Sequence, residues 1–245
     1  MKSNIKIYDD KIFLINQDNR IFCLNTKNGS KIWDIRLVSS FIKLQNFLSS
    51  AISKQGEIIA VTSSGDLLKI NANNGKIFWS LNTLESTLAH AADFFKSSQI
   101  VIIDDNIMFS AKSSIFSFNL NTGYINWKRK VSSVGVPIID GKNIFILTDN
   151  GYFVIIDKNT GKIISSTNIL KILKKRKQAT KITGFIMGSG KIYSVTSNGY
   201  LIVSSPVSGK VEYFKKIGDP VISAPIISDG NLYILTKNSR ILGFN

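Results

Sequence analysis

A glycine-centred turn recurs five times along the chain, each copy carrying Asn, Asp or Ser four residues before the glycine and Trp, Tyr or Ser four residues after it. The copies are Asn25, Gly29 and Trp33; Asn71, Gly75 and Trp79; Asn119, Gly123 and Trp127; Asp157, Gly161 and Ser165; and Ser205, Gly209 and Tyr213. Successive glycines lie 46, 48, 38 and 48 residues apart. Self-similarity at a period of tens of residues decides the architecture, because one supersecondary unit of that size buries its apolar faces only by stacking against its neighbours.

Two short β-branched runs precede each turn. Residues 144–148 and 152–156 are separated by Asp149, Asn150 and Gly151, whose Asn-Gly pair is the signal for a tight two-residue hairpin turn with positive φ. The same hairpin recurs over 58–70 around Ser64-Gly65 and over 192–203 around Asn198-Gly199, and with weaker turns over 12–24, 107–118 and 232–244. An earlier turn, Asp140-Gly141, Ser189-Gly190 or Asp229-Gly230, follows a further apolar segment such as 136–139 or 224–227. Each repeat therefore reads as an innermost strand, a hairpin, the glycine turn and an outer strand bearing the aromatic. Pro137 and Pro225 suit the first position of an innermost strand. Helical periodicity is confined to 84–97 and 169–180. Four-stranded sheets repeated along a chain stack radially, so the expected fold is all-β, a β-propeller of about six blades in one domain over residues 1–245. Trp33, Trp79 and Trp127 are expected to pack on the adjacent blade with the indole N–H on a carbonyl. Tyr213 can take that place; Ser165 cannot, which predicts a looser contact.

Composition sets the remaining bounds. A net charge of +15 invites an anionic partner, but lysine outnumbers arginine 26 to 5, as AT-rich codon usage would give, and the charge is spread along the chain. Its one dense cluster, Lys174, Lys175, Arg176 and Lys177, reads as a solvated loop, with an anionic partner or lipid headgroups as the alternative. No apolar stretch approaches the roughly 18 residues of a membrane span, and no leader pattern opens the sequence. The single Cys23 excludes an internal disulfide and, between Phe22 and Leu24, reads as a buried structural thiol. The carboxylate doublets Asp9-Asp10 and Asp104-Asp105 fall in turns, where Asp serves turn geometry; calcium wants about six to eight oxygens. His90, with Glu85 and Asp93 nearby, reads as an ordinary polar residue of an inserted connection rather than an acid/base pair. No nucleophile elbow, zinc spacing or phosphate loop is present, so the sequence offers no catalytic, cofactor-binding or metal-binding residues. The long connections 38–54, 81–98 and 170–184 are the candidate partner surfaces, with Phe41, Phe47, Phe94 and Phe95 as anchors or as core. Exposed strand edges could also take an extended segment.

The Asp/Asn-x-x-Thr/Asn-Gly-Lys-x-x-Trp unit resembles the quinoprotein-type, PQQ-like propeller repeat across essentially all 245 residues. The C-terminal order, a polar connection, a Gly-Lys-Ile-Tyr hairpin, a Ser-Gly-Lys turn and then Ala224-Pro225-Ile226-Ile227-Ser228-Asp229-Gly230 with a last hairpin, is similar to the BamB family of outer-membrane assembly lipoproteins in its alphaproteobacterial form. That resemblance implies a non-enzymatic protein-binding scaffold without a cofactor, periplasmic and outer-membrane associated through an N-terminal lipid anchor. It implies docking to the POTRA region of BamA and assistance to unfolded outer-membrane proteins, with no nucleic-acid partner. It also implies an eight-bladed ring, so this chain is expected to be the C-terminal part of a longer propeller whose sixth hairpin lacks an outer strand; a closed six-bladed ring is the alternative. The second functional reading is a fragment of a PQQ-dependent dehydrogenase, a class that resembles this chain in its repeat. Many such enzymes carry a vicinal cysteine pair, which a single cysteine cannot form.

Overall fold

The short apolar runs pair with their neighbours across tight turns into six antiparallel sheets. The structure is a computed structural model that describes residues 5–16, 18–37, 49–83, 97–111, 113–177 and 180–245. Sheet 1 holds β1 (Lys6–Tyr8), β2 (Lys11–Ile15), β3 (Arg20–Asn25) and β4 (Lys31–Arg36). Sheet 2 holds β5 (Ser50–Ile52), β6 (Glu57–Val61), β7 (Asp66–Asn71) and β8 (Ile77–Asn82). Sheet 3 holds β9 (Val101–Ile103), β10 (Asn106–Ala111), β11 (Ser114–Asn119) and β12 (Ile125–Arg129). Sheet 4 holds β13 (Ile138–Asp140), β14 (Asn143–Leu147), β15 (Tyr152–Asp157) and β16 (Ile163–Asn168). Sheet 5 holds β17 (Ile182–Gly188), β18 (Lys191–Thr196), β19 (Tyr200–Ser204) and β20 (Val211–Lys216). Sheet 6 has three strands among the described residues, β21 (Ile226–Ser228), β22 (Asn231–Leu235) and β23 (Ile241–Phe244). Strands lie in chain order across each sheet. Pro137 and Pro225 sit one residue ahead of β13 and β21 rather than inside them.

The chain forms two compact units, residues 1–128 and 129–245. In each, the core lies between consecutive sheets. Phe13, Ile21 and Cys23 of sheet 1 meet Ile58, Leu68 and Ile70 of sheet 2, while Ile59, Val61 and Leu67 on the other face of sheet 2 meet Phe109, Phe116 and Phe118 of sheet 3. In the second unit Phe145 and Phe153 meet Ile192 and Ile202, and Val195 and Leu201 meet Leu232 and Ile234. The middle strands are therefore apolar on both faces, which explains why their sequence reads as continuous β-branched runs instead of alternating.

The tight two-residue turns fall elsewhere than the sequence suggests. At Thr148 to Tyr152 the loop has three residues: Gly151 N–H donates to the Thr148 carbonyl at 3.0 Å, and only Gly151, not Asn150, has positive φ. This is the three-residue hairpin, in which a single left-handed residue follows the turn. The Thr148 hydroxyl accepts the Tyr152 N–H at 2.9 Å, and Thr62, Thr196 and Thr236 do the same for Asp66, Tyr200 and Arg240. Two-residue turns with positive φ at both positions occur at Ser189-Gly190 and Asp229-Gly230, between innermost and second strands.

All five glycine turns share one set of hydrogen bonds. The glycine N–H donates to the carbonyl four residues back at 2.9 to 3.0 Å. The side chain at that same position accepts N–H groups two or three residues on: Asn25 from Lys27, Asn71 from Asn73, Asn119 from Asn121, Asp157 from Asn159 and Ser205 from Val207. This is why Asn, Asp or Ser must stand there. After the turn the outer strand bulges by one residue: Lys31 faces Leu24, yet Trp33 and not Ile32 faces Cys23. The same slip occurs at Phe78, Ile164 and Glu212. A bulge re-aims the side chains beyond it, and the residues four and six after the glycine then close on the next glycine turn. Trp33 Nε1 donates to the Ala72 carbonyl at 3.0 Å, and Trp79 Nε1 to that of Leu120 at 3.3 Å. A Cβ on Gly75 would stand 3.0 Å from the Trp33 ring, and one on Gly123 would stand 3.0 Å from the Trp79 ring and 3.2 Å from Leu81.

Gly29 and Gly123 share a left-handed backbone, φ 70° and 76°, but no described atom lies within 4 Å of a Cβ on Gly29. Gly29→Ala is expected to cost only the left-handed penalty of about 1 to 2 kcal/mol, whereas Gly123→Ala adds the collision with Trp79, roughly another 1 to 3 kcal/mol. Urea melts of the two variants check this; equal losses would show that the ring contact contributes nothing. At Asp157 the Thr160 hydroxyl and then its N–H hold the carboxyl below the ordinary value of 3.8. A depressed carboxyl stabilises the fold above its unfolded pKa and ceases to do so as pH falls through the folded one. Asp157→Asn, the residue found in the first three turns, should therefore melt lower than the parent near neutral pH and match it once the carboxyl is protonated, well below pH 3.8.

Candidate functional site

The sequence-nominated surfaces divide between residues the structure describes and residues it does not. Phe41, Phe47, Phe94, Phe95, His90, Glu85 and Asp93 lie outside the described residues. The basic cluster falls in a 3₁₀ segment, Ile169–Lys177, in the region where the sequence suggested helical character. Ile169, Leu170 and Leu173 anchor it in the core between sheets 4 and 5, Lys174 is exposed at φ 50°, and the side chains of Lys175, Arg176 and Lys177 lie outside the described residues.

The motif aromatics have different environments. Trp33 and Trp79 cover glycine turns, and Trp127 is 6 % exposed. The position of Ser165 holds no ring, and its hydroxyl is buried without a partner among the described atoms. Thr167 and Phe153 close on Gly209 instead, at 3.1 and 3.2 Å from where a Cβ would stand. At Gly161, Arg129 caps the turn, donating from Nε to the Gly161 carbonyl at 2.6 Å and from Nη2 to that of Thr160 at 3.0 Å. Tyr213, on β20, is 54 % exposed.

The titratable groups serve structure. Asp9 and Asp104 occupy turns at φ 51° and 50°, Asp10 pairs with Lys11 at 3.1 Å, and Asp105 accepts the Leu120 N–H on its carbonyl. Asp34 is clamped by Lys31 at 2.7 Å and Arg20 at 2.6 Å, which hold its carboxyl below the usual range. Lys69, buried, pairs with Glu57 at 2.9 Å and lies over the Phe78 ring. Among the described residues no group of three or more His, Cys, Asp or Glu side chains is placed to hold a metal ion. No described helix is long and apolar enough to cross a membrane.

One concave site stands out within the first unit. A cleft of about 440 Å³ opens between β8 of sheet 2 and β11 and β12 of sheet 3, walled by Trp79, Leu81, Phe116, Phe118 and Tyr124, with Lys128 at its side. Phe109, Phe116 and Phe118 stack at centroid distances of 5.7 to 5.9 Å, and Lys128 Nζ sits 5.4 Å over the Phe116 ring. The sequence reading did not single out Phe116, Phe118, Tyr124 or Lys128. One signal was available: the residue after the turn glycine is Ser30, Lys76, Lys162 or Lys210 in the other copies and Tyr124 only here.

Repeated four-stranded sheets, with the outer-strand Trp of one docked on the glycine turn of the next, define a β-propeller of PQQ-like repeats. The family model described as outer membrane protein assembly factor BamB matches residues 1–167. The chain belongs to that family. It is 20 % identical to outer membrane protein assembly factor BamB of Yersinia pestis over 97 % of this chain and 60 % of the relative, and 20 % identical to that of Moranella endobia over 99 % and 59 %. The chain thus spans about three fifths of the length of these curated relatives. Among solved structures, BamB from Moraxella catarrhalis superposes with a TM-score of 0.77 at 12 % identity, over 98 % of this chain and 70 % of that one. A quinohemoprotein alcohol dehydrogenase from Comamonas testosteroni gives 0.66 at 14 % identity, over 99 % of this chain and 45 % of the enzyme.

Cys23 packs fully buried between sheets 1 and 2, and burial pushes its thiol up to about 11. A protonated thiol is a poor nucleophile. Iodoacetamide at about pH 8 is therefore expected to leave Cys23 unmodified in the folded chain and to label it once the chain is unfolded in urea; rapid labelling of the folded chain would contradict the assigned burial.

Proposed function

We propose that this chain is a non-enzymatic, protein-binding scaffold of the outer-membrane β-barrel assembly machinery. It acts at the periplasmic face of the outer membrane, where it docks the POTRA region of BamA and assists unfolded outer-membrane proteins. The observation that carries this reading is the family match over residues 1–167, joined by relatives named as assembly factors across nearly the whole chain. The architecture supports it physically. Buried sheets linked by clamped turns make a stiff frame, and the variable connections and outer strand edges are left for partners. The dehydrogenase neighbours share the fold, and a fold hosts several functions. Asp9, Asp104 and Asp229 here occupy left-handed turn positions, and Asp34 and Glu57 are held in ion pairs.

The test is retention of the POTRA region of BamA from the same organism on the immobilised chain, run beside a titration with the quinone cofactor and calcium. Saturable POTRA retention without quinone binding is the expected result. Quinone binding without retention would replace the scaffold with the dehydrogenase reading.

A further inference from the structure

We propose that the aromatic cleft between sheets 2 and 3 is a docking pocket for an aromatic side chain carried next to a carboxylate on an extended polypeptide segment. This rests on the scaffold reading and specifies which segments the scaffold takes.

The argument begins with the repeat. Five turns use one backbone design, and the site after the glycine is polar in the other four copies. In the third it is Tyr124, 78 % exposed, although nothing in the turn's hydrogen bonding calls for a ring: its N–H donates to the Thr122 hydroxyl as that of Lys76 does to Asn74. Seven residues before the glycine this copy carries Phe116, as the first carries Phe22, where the others have Leu68, Val154 and Ile202; five residues after it stands Lys128, where the second and fourth repeats have Ser80 and Ser166. Phe116, Tyr124 and Lys128 all line the same cleft. Trp79 meanwhile keeps its structural hydrogen bond to Leu120, so its ring is both clamp and wall. The additions leave the frame intact and create a concavity with aromatic sides.

The chemistry of the walls selects the occupant. At about 440 Å³ the cleft is within the range of small-ligand sites, large enough for one aromatic ring with its neighbours. Ring edges meet aromatic faces favourably beyond the area they bury. Among the described lining residues the single charge is Lys128, held over Phe116, and none is a carboxylate. With a chain net charge of +15 the local field favours an anion beside the ring and rejects a lysine-flanked one. β8 and β12, the terminal strands of their sheets among the described residues, flank the opening, which suits an extended backbone lying along them.

The probes are capped nonapeptides of alternating threonine and serine with a central Asp-Phe-Asp, titrated calorimetrically into the 245-residue chain. Controls replace Phe by Ala, or both Asp by Lys. The expected result is saturable binding of the first peptide, weakened about tenfold or more by loss of the ring and several-fold by charge reversal, with a salt dependence that the charge reversal removes. Tyr124→Ser and Lys128→Ser, which restore residues the other repeats carry, should each weaken binding several-fold, and Tyr124→Ser should melt with the parent. Equal affinity for the Phe and Ala peptides, unchanged binding by Tyr124→Ser, or no saturable binding would overturn the proposal. POTRA retention measured on the same variants separates the two readings. Retention without peptide binding removes the cleft and leaves the scaffold; peptide binding without retention leaves the cleft and removes the assembly role.

Discussion

The contact between the outer strand of one sheet and the glycine turn of the next governs this molecule. Apolar burial holds the middle strands together, but burial is indifferent to direction and would let sheets slide. The clamp is directional. A ring lies on a glycine because no Cβ stands in its way, and its N–H ends on a backbone carbonyl of the same turn, as for Trp33 at Ala72 and Trp79 at Leu120. The one-residue bulge sets this up by placing Trp33 where regular pairing would have put Ile32. Other groups fill the slot as well: Arg129 donates to the carbonyls at Gly161, and at Gly209, where the preceding repeat carries Ser165 in place of a ring, Phe153 with Thr167 supplies volume. The requirement is for shape and for satisfied carbonyls, and tryptophan is one way of meeting both.

Much of this frame is visible in the residue pattern, and the reasons are local. A side-chain acceptor four residues before a glycine, with N–H groups within its reach, forms the same turn wherever it occurs, so the five turns and the strand order could be read from Asn25, Asn71, Asn119, Asp157 and Ser205. The hairpin geometry was misjudged at Asn150-Gly151 because a dipeptide does not encode loop length. The hydroxyl of Thr148, which draws in the Tyr152 N–H, tips the loop to three residues. The surroundings of Tyr213 are not encoded in its own turn either: it stands at the same offset from its glycine as Trp33, yet it is 54 % exposed. The cleft is hard to read for a related reason. Phe116, Tyr124 and Lys128 each look ordinary in sequence, and only the stacking of two sheets brings them together with Trp79.

Fold and function separate cleanly in such a chain. An assembly factor and two dehydrogenases superpose on it with TM-scores of 0.77, 0.66 and 0.69, since what a superposition compares is the fold. Membership of the BamB family comes from the residue pattern over residues 1–167. Within a repeat protein that pattern has two layers. Residues that recur satisfy the turn, the bulge and the clamp, and any function they had would be repeated in every blade. Residues that depart from the repeat while leaving those three elements intact are free of the structural requirement.

Tyr124 belongs to that second layer. Keeping a large ring 78 % exposed leaves apolar surface in water that lysine or serine at the same site would not present. The turn gains nothing in return, because the hydrogen bonds around Gly123 match those around Gly75 and Gly161. Exposed apolar area without a structural role becomes favourable only when something covers it. The walls beside it are aromatic, and the charge beside it is positive. The same physics that lets tryptophan settle on a glycine inside the frame therefore operates at its outer edge, with one partner supplied from another chain.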